Sequence, residues 1–258
     1  MSVAPEAKYT EETVLWVKRH TAKLMTFAIT RPESYRFAAG QFSRLGFRDG
    51  NGFIWRAYSV VSAEYAETLE YFVVLIKDGS MSAKFAQLQA GDTLLLDKNA
   101  TGFLLPERFP DGKDLVMLCT GSGIAPFLSM LEQPEIWQRF ERLVLVHSVS
   151  YADELIFNER IAALQQHPLI EEYFAKLTFQ AVLTRDEVAG VPHQRLPVLL
   201  QSGELSRVLS MPFTPEHTRF MLCGNPAMVK DTFQALLDMG FTMHRNRLAG
   251  QIIMENGF

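Results

Sequence analysis

Two regions of different build are predicted along these 258 residues: a six-stranded antiparallel β-barrel over 1–105, then a doubly wound parallel α/β sheet over 106–258. Three observations predict them. Up to about residue 105 the chain is a series of short β-rich runs parted by Gly and Asp, as in Arg48-Asp49-Gly50-Asn51-Gly52. The stretch Pro106 to Gly112, with its prolines and Asp111-Gly112, reads as a connector. Beyond it apolar strands alternate with helical stretches, the βαβ rhythm of a Rossmann-like sheet.

In order, the first region offers strands at Thr13 to Val17, Leu24 to Thr30, Gln41 to Phe47, Ile54 to Val61, Leu69 to Lys77 and Thr93 to Asp97. A single helix is expected at Met81 to Leu88. Six strands with hairpin turns suit a small barrel closed on itself, which leaves no sheet edge. The second region offers strands at Leu115 to Cys119, Leu143 to His147, Leu177 to Leu183, Phe220 to Cys223 and Gln251 to Met254. Helices are expected at Pro126 to Leu131, Asp153 to Gln165, Leu196 to Leu200 and Pro226 to Met239.

Composition narrows the function classes. With 48% hydrophobic and 21% charged residues the chain is an ordinary globular one. It has no apolar run long enough for a membrane span, and its opening residues carry neither a basic start nor an apolar stretch for export, so a cytoplasmic protein is expected. Cys119 and Cys223, the only cysteines, each end an apolar run, which argues against a disulfide framework and a cysteine-held cluster. The net charge of -4 argues against nucleic acid, although residues 1–105 hold 12 Lys/Arg against 11 Asp/Glu and residues 106–258 hold 13 against 18. The six histidines show no metal-ligand spacing, and no Gly-x-Ser-x-Gly elbow occurs.

Several short stretches carry chemistry. In Arg56-Ala57-Tyr58-Ser59, alternation on a strand puts Arg56 and Tyr58 on one face. A ring beside a cation suits a flat, phosphate-bearing ligand, though an amphipathic strand with a rim arginine would look the same. Lys77-Asp78-Gly79-Ser80-Met81-Ser82 ends a strand and opens a helix, whose free N–H groups would accept a phosphate or simply be capped by Ser80 or Ser82. Thr120-Gly121-Ser122-Gly123 follows the first strand of the second region and leads to a helix starting at Pro126, where glycine allows close approach of a pyrophosphate. It is not the full G-x-G-x-x-G pattern, because Pro126 stands where the third glycine would be.

Choice between a 2′-phosphate and a free ribose is expected at the ends of the next strands, where a phosphate wants arginine and a ribose wants a carboxylate. Arg185 and Arg195 are the candidates for the first, and Asp153 and Glu154 stand near the second, with a charged helical turn as their plainer role. Cys223-Gly224-Asn225-Pro226 closes another strand, where a small thiol and a glycine would let a planar ring come close. The thiol equally suits a buried core position.

Together these motifs resemble the ferredoxin/flavodoxin–NADP(+) reductases, the bacterial type in particular, over nearly the whole chain. The resemblance implies a FAD-binding barrel and an NADP(H)-binding sheet, hydride transfer between NADP(H) and flavin, and single-electron exchange with ferredoxin or flavodoxin. By it, Tyr58 would stack on the flavin, Arg56 would meet the FAD phosphates beside Ala57, and Ser59 would lie near the reactive ring nitrogen. Val73, Val74, Leu75 and Ile76 would run along the flavin, Ser80, Met81 and Ser82 would hold the pyrophosphate, and Thr120 would touch the cofactor. Gly121, Ser122, Gly123, Pro126 and Gly224 would frame the dinucleotide. Arg185, after Thr184, and Arg195 would bind the 2′-phosphate, while Ser150 stands where relatives often carry a further arginine. Cys223, Glu255 as a proton carrier and Phe258 as a covering ring complete the expected catalytic set.

The implied carrier is acidic, and Lys18, Arg19, Lys23, Arg44 and Arg48 of the more basic first region are its expected contacts; a transient encounter by a monomer is expected. Two alternatives stand beside this reading: the reductase component of an oxygenase, and a flavin electron-transfer subunit without turnover of its own. Subunits of the second kind add a cysteine cluster, for which this chain has too few cysteines.

Overall fold

The computed structural model describes residues 8–50 and 52–256. The first region forms β1 (Tyr9–Arg19), β2 (Leu24–Thr30), β3 (Phe42–Asp49), β4 (Gly52–Ser59), β5 (Thr68–Val74), helix α1 (Ser80–Gln87) and β6 (Thr93–Asp97). The strands make one antiparallel sheet in the order β4-β3-β6-β1-β2-β5. It curls until its ends meet: Val60, just past β4, bridges Tyr71 of β5, and the Val61 N–H donates to Glu70 O at 2.9 Å. The predicted barrel is therefore present. That closure also explains why β4 stops at Ser59 instead of running on to Val61.

Alternation along the strands builds the barrel core. Met25, Phe27 and Ile29 of β2 and Leu69, Tyr71 and Val73 of β5 point inward, where α1 plugs the interior with Met81 and Phe85. Leu24 and Phe72, on the opposite face, belong to a second core shared with the other sheet.

The second region forms β7 (Asp114–Thr120), α2 (Ala125–Leu131), α3 (Pro134–Arg139), β8 (Arg142–Val149), α4 (Asn158–Ala163), β9 (Leu177–Leu183), α5 (Leu196–Gln201), α6 (Glu204–Val208), β10 (Thr218–Gly224), α7 (Pro226–Asp238) and β11 (Ile252–Asn256). All five strands are parallel, in the order β11-β10-β7-β8-β9. The chain builds outward from β7 through β8 to β9, then returns to place β10 against the other side of β7. The switch point thus lies between β7 and β10, where an open α/β sheet leaves a crevice at its carboxyl ends. Successive residues of β7 feed opposite faces, Leu115, Met117 and Cys119 packing with α2, α3 and α4, and Val116 and Leu118 with α5, α6 and α7.

Two differences from the expected elements have identifiable causes. The helix predicted over Asp153 to Gln165 is broken into a 3-10 turn at Ala152–Glu154, α4, and a further turn at Leu164–Gln166. Phe157, just before α4, packs edge-on against Phe72 of the barrel with centroids 5.0 Å apart, and that tertiary contact overrides a continuous helix. Helices α3 and α6 span six and five residues, fewer than two turns, too short for an apolar period to show. Among the described residues no helix is long and apolar enough to cross a membrane.

Candidate functional site

A cleft of about 260 Å³ opens between the two sheets. Its barrel side is made by Phe42, by Arg56, Ala57, Tyr58 and Ser59 of β4, and by Phe72, Val74 and Ile76 of β5 and its continuation. Gly79, Ser80, Met81 and Ser82 at the start of α1 form one end. Ser122, Gly123 and Ala125 after β7, Cys223 at the end of β10, and Glu255 and Asn256 of β11 make the floor.

Each barrel residue is held by an identifiable contact. Tyr58 meets the edge of Phe85 at 5.2 Å and 85°, so the helix that plugs the barrel also fixes the Tyr58 ring. Burial pushes the Tyr58 phenol up to about 12, with Arg56 opposing, so it stays protonated. Its hydroxyl has no hydrogen-bond partner among the described residues. Arg56 is exposed and donates to Trp55 O at 2.8 Å. Strand alternation splits the predicted run after Phe72: Val74 and Ile76 face the cleft, while Val73 and Leu75 pack toward the barrel core.

The start of α1 is open. Gly79 is its N-cap and supplies no side-chain bond to the first turn. Neither serine caps the helix: Ser82 Oγ instead accepts from Ile76 N–H at 2.8 Å, which ties the strand end to the helix, and Ser80 is exposed. The first-turn N–H groups therefore point out with no side-chain acceptor, the arrangement that attracts an anion.

On the floor two glycines let the loops after β7 and β10 touch. A Cβ on Gly123 would sit 2.3 Å from the Cys223 carbonyl oxygen, and one on Gly224, at φ +138, would sit 2.3 Å from Thr120 Oγ1 and 2.8 Å from its backbone N. Thr120 joins the loops by accepting from Asn225 N–H at 2.9 Å. Gly121 is held from beneath: its carbonyl can only accept, so His147 Nε2 at 3.0 Å carries the hydrogen. Burial lowers His147 to about 4 despite that bond, which keeps the ring neutral. Pro126 sits in the first turn of α2, which begins one residue earlier than predicted. Thr120, Gly121, Pro126 and Gly224 thus frame the cleft without lining it.

Cys223 and Glu255 are register partners across β10 and β11, so both side chains rise on the cleft side of the sheet. Burial pushes the Glu255 carboxyl up to about 7. Burial also raises the Cys223 thiol, with Glu255 adding to it, so this cysteine is a neutral, compact floor. Phe258 lies outside the described residues.

The arginines predicted for a phosphate stand apart from the cleft. Beyond β8 and β9 the ladder continues through Thr184 N–H to Val149 O and Arg185 N–H to Ser150 O, both 2.9 Å. Arg185 and Arg195 are exposed, Arg195 as the N-cap of α5. Glu154 has a structural job: its carboxylate accepts from Ser150 N–H at 2.8 Å. Of the basic residues expected to meet a carrier, Arg48 is paired with Glu11 at 2.6 Å and Arg44 with Asp97 at 3.9 Å.

Sequence reasoning missed Phe42, Phe72, Ala125 and Asn256 in the lining. Phe72 was within reach, since it shares a face with Val74 and Ile76. It also missed Arg160 of α4, which donates to Glu70 on β5 at 2.5 Å and to Glu132, just past α2, at 2.7 Å. This single guanidinium ties the barrel wall that carries Phe72 to the helix that carries the glycine turn. No local motif announces such a long-range pair.

Two family models match successive parts of the chain. The family model described as an oxidoreductase FAD-binding domain matches residues 16–99, and that described as an oxidoreductase NAD-binding domain matches 117–234. The chain is 37% identical over 253 residues to ferredoxin--NADP reductase A of Sorangium cellulosum (strain So ce56), covering 97% of this chain and 90% of that protein. It is 38% identical over 196 residues to the flavodoxin/ferredoxin--NADP reductase of Escherichia coli (strain K12), covering 76% and 77%. A crystal structure of a ferredoxin NADP+ reductase from Neisseria gonorrhoeae with bound FAD and NADP superposes with a TM-score of 0.92 at 68% identity, over 98% of this chain and 100% of that one. A barrel and a doubly wound sheet that share one cleft, with relatives of this name along almost the full length, place the chain in the ferredoxin/flavodoxin–NADP(+) reductase family.

Proposed function

We propose that the cleft between the sheets holds FAD and that the loops after β8 and β9 receive the adenosine end of NADP(H). The activity is then electron transfer between NADP(H), the flavin, and a ferredoxin or flavodoxin. The observation that carries this reading is the convergence on one cleft of the unpartnered Tyr58 phenol, the uncapped first turn of α1, and a floor where a Cβ at Gly123 would clash with Cys223. These features fit the group. A flat ring system needs an aromatic wall and a floor without protruding side chains, and a pyrophosphate needs open N–H donors.

Bound there, FAD supplies the chemistry that couples two-electron exchange with a nicotinamide to one-electron exchange with a carrier. The chain's share is placement. Tyr58 presents its ring to one side of the cleft, and Val74 and Ile76 exclude water along the wall. Arg56 offers an exposed guanidinium for phosphate, and the N–H groups of Ser80, Met81 and Ser82 offer donors. Ser59 and Cys223 bring small polar groups to the reacting region without filling it. Glu255, with its carboxyl poised near 7, holds a proton that can be exchanged at neutral pH. Ser122, Gly123 and Ala125 give a nicotinamide a close backbone approach, and Arg185 and Arg195 would hold the 2′-phosphate. Phe258 keeps its covering role on the family resemblance alone.

The same reading puts the domain boundary between residues 105 and 106, supported by the two spans that the family models match. It includes a cytoplasmic monomer that meets its carrier transiently, and the two buried cysteines, neither in a disulfide, support a reducing compartment. The test is NADPH-dependent reduction of a purified bacterial ferredoxin, coupled to cytochrome c. Carrier-dependent turnover with NADPH exceeding that with NADH is expected, and turnover indifferent to added carrier would remove the assignment.

A further inference from the structure

The corner beyond β8 and β9 contains an aromatic ring that the reading above leaves without a task. The ladder from Arg185 N–H to Ser150 O brings Arg185 beside the start of the loop at 150–154. There the guanidinium carbon of Arg185 lies 5.9 Å from the centroid of the Tyr151 ring, within the range of a cation–π contact. Tyr151 is itself 41% exposed, so its ring is a surface platform and not a core residue.

Two carboxylates of this corner are already engaged, while Asp153 is exposed. Glu154 accepts from the N–H groups of Ser150 and Tyr151, at 2.8 and 3.4 Å. Asp186, one residue after Arg185, accepts from Ala152 N–H at 2.7 Å. Those bonds fix the loop that carries the Tyr151 ring and direct the two carboxylates toward backbone N–H groups. Among the described residues Arg185 has no ion-pair partner. Its charge is left without a carboxylate, while Tyr151, through its ring and a hydrogen bond to its hydroxyl, restrains a side chain that would otherwise lose rotamer freedom when an anion binds.

We propose that Tyr151 is a positioning residue that sets dinucleotide specificity, holding the Arg185 guanidinium ready for the 2′-phosphate of a 2′-phosphorylated adenosine. This rests on the assignment of Arg185 to that phosphate, and the experiment separates the two. The holoenzyme and its Tyr151→Ala, Tyr151→Phe and Arg185→Ala variants are compared in KM and kcat for NADPH and NADH with ferricyanide as acceptor. Dissociation constants for 2′,5′-ADP and 5′-AMP are measured by calorimetry on the same proteins.

Tyr151→Ala is expected to weaken NADPH and 2′,5′-ADP by about two- to fivefold, the size of an exposed cation–π contact. The change should fall on KM and not on kcat, and should leave NADH and 5′-AMP as they were. Tyr151→Phe, which keeps the ring but loses the hydroxyl that bonds Arg185, should fall between the parent and Tyr151→Ala. Arg185→Ala should be the more damaging for the phosphorylated ligands. If Arg185→Ala is selective and Tyr151→Ala is silent or weakens both ligand pairs equally, the role of Tyr151 is overturned. If Arg185→Ala is itself unselective, the phosphate assignment beneath it falls.

Discussion

Across the cleft, recognition is built from backbone and buried contacts: glycines brought within clashing distance of neighbouring carbonyls, a phenol wedged against Phe85, an uncapped helix start. At the corner beyond β8 and β9 it is built from exposed charge: Arg185 over the Tyr151 ring and Arg195 at the head of α5. On the proposed assignment of the two sites, the difference matches the residence of the two ligands. A cofactor that stays is held by shape that exists before it arrives, whereas a substrate that must leave after each turnover is held by a few exposed charges. Adding an atom should therefore damage the first region, and removing a charge should damage the second.

The largest expected effect tests whether the cleft is held from outside itself. Arg160→Met leaves Glu70 and Glu132 half-buried without their cation, and should cost about 3 kcal/mol of stability, read by denaturant unfolding. Flavin content should drop with it, because the wall and the glycine turn lose their common tie. A stable Arg160→Met protein with full flavin would show that the two sides are positioned independently.

At the corner, joint Arg185→Ala and Arg195→Ala should weaken NADPH by roughly 1.5–3 kcal/mol, the loss of charged hydrogen bonds, seen in KM against NADH. Stability should shift by less than about 0.5 kcal/mol, since both residues are exposed. A matching loss for NADH would erase the contrast between charge and shape.

Gly123→Ala should do the reverse. Its Cβ would meet the Cys223 carbonyl, and the forced shift should cost about 1–3 kcal/mol with loss of bound flavin. An unchanged melting temperature and flavin content would mean that the loops after β7 and β10 can part freely.

A last expectation concerns pH. The Glu255 carboxyl is held near 7 by burial, well above its usual 4.5, so the fold disfavours its charged form. The stability tied to the neutral acid is complete below about 4.5 and is lost as pH rises through about 7. In flavin-free protein, Glu255→Gln should then be the more stable of the two at pH 8, with the gap closing in acid. A gap independent of pH would place the carboxyl in water.

Much of this was legible because local chemistry and global fold agree. Six β-rich runs gave the barrel, the apolar strands gave the parallel sheet in order, and Arg56-Ala57-Tyr58-Ser59 and Gly121-Ser122-Gly123 led to the cleft. Alternation could have been carried further: it separates Val74 and Ile76 from Val73 and Leu75 and adds Phe72. Other features have no local signature. Arg160 acts through residues 90 and 28 positions away, and Phe157 breaks its helix to reach Phe72. Glu154 was weighed for ribose, but its carboxylate serves the loop's own N–H groups.

The visible spectrum of the purified protein, reconstituted with FAD and then titrated with NADPH, tests the central claim most directly, and Tyr58→Ala provides the comparison. We predict a stoichiometric yellow complex that NADPH bleaches, and a weaker one in the variant. A protein that remains colourless after reconstitution, or binds FAD equally well without the Tyr58 ring, would contradict the account.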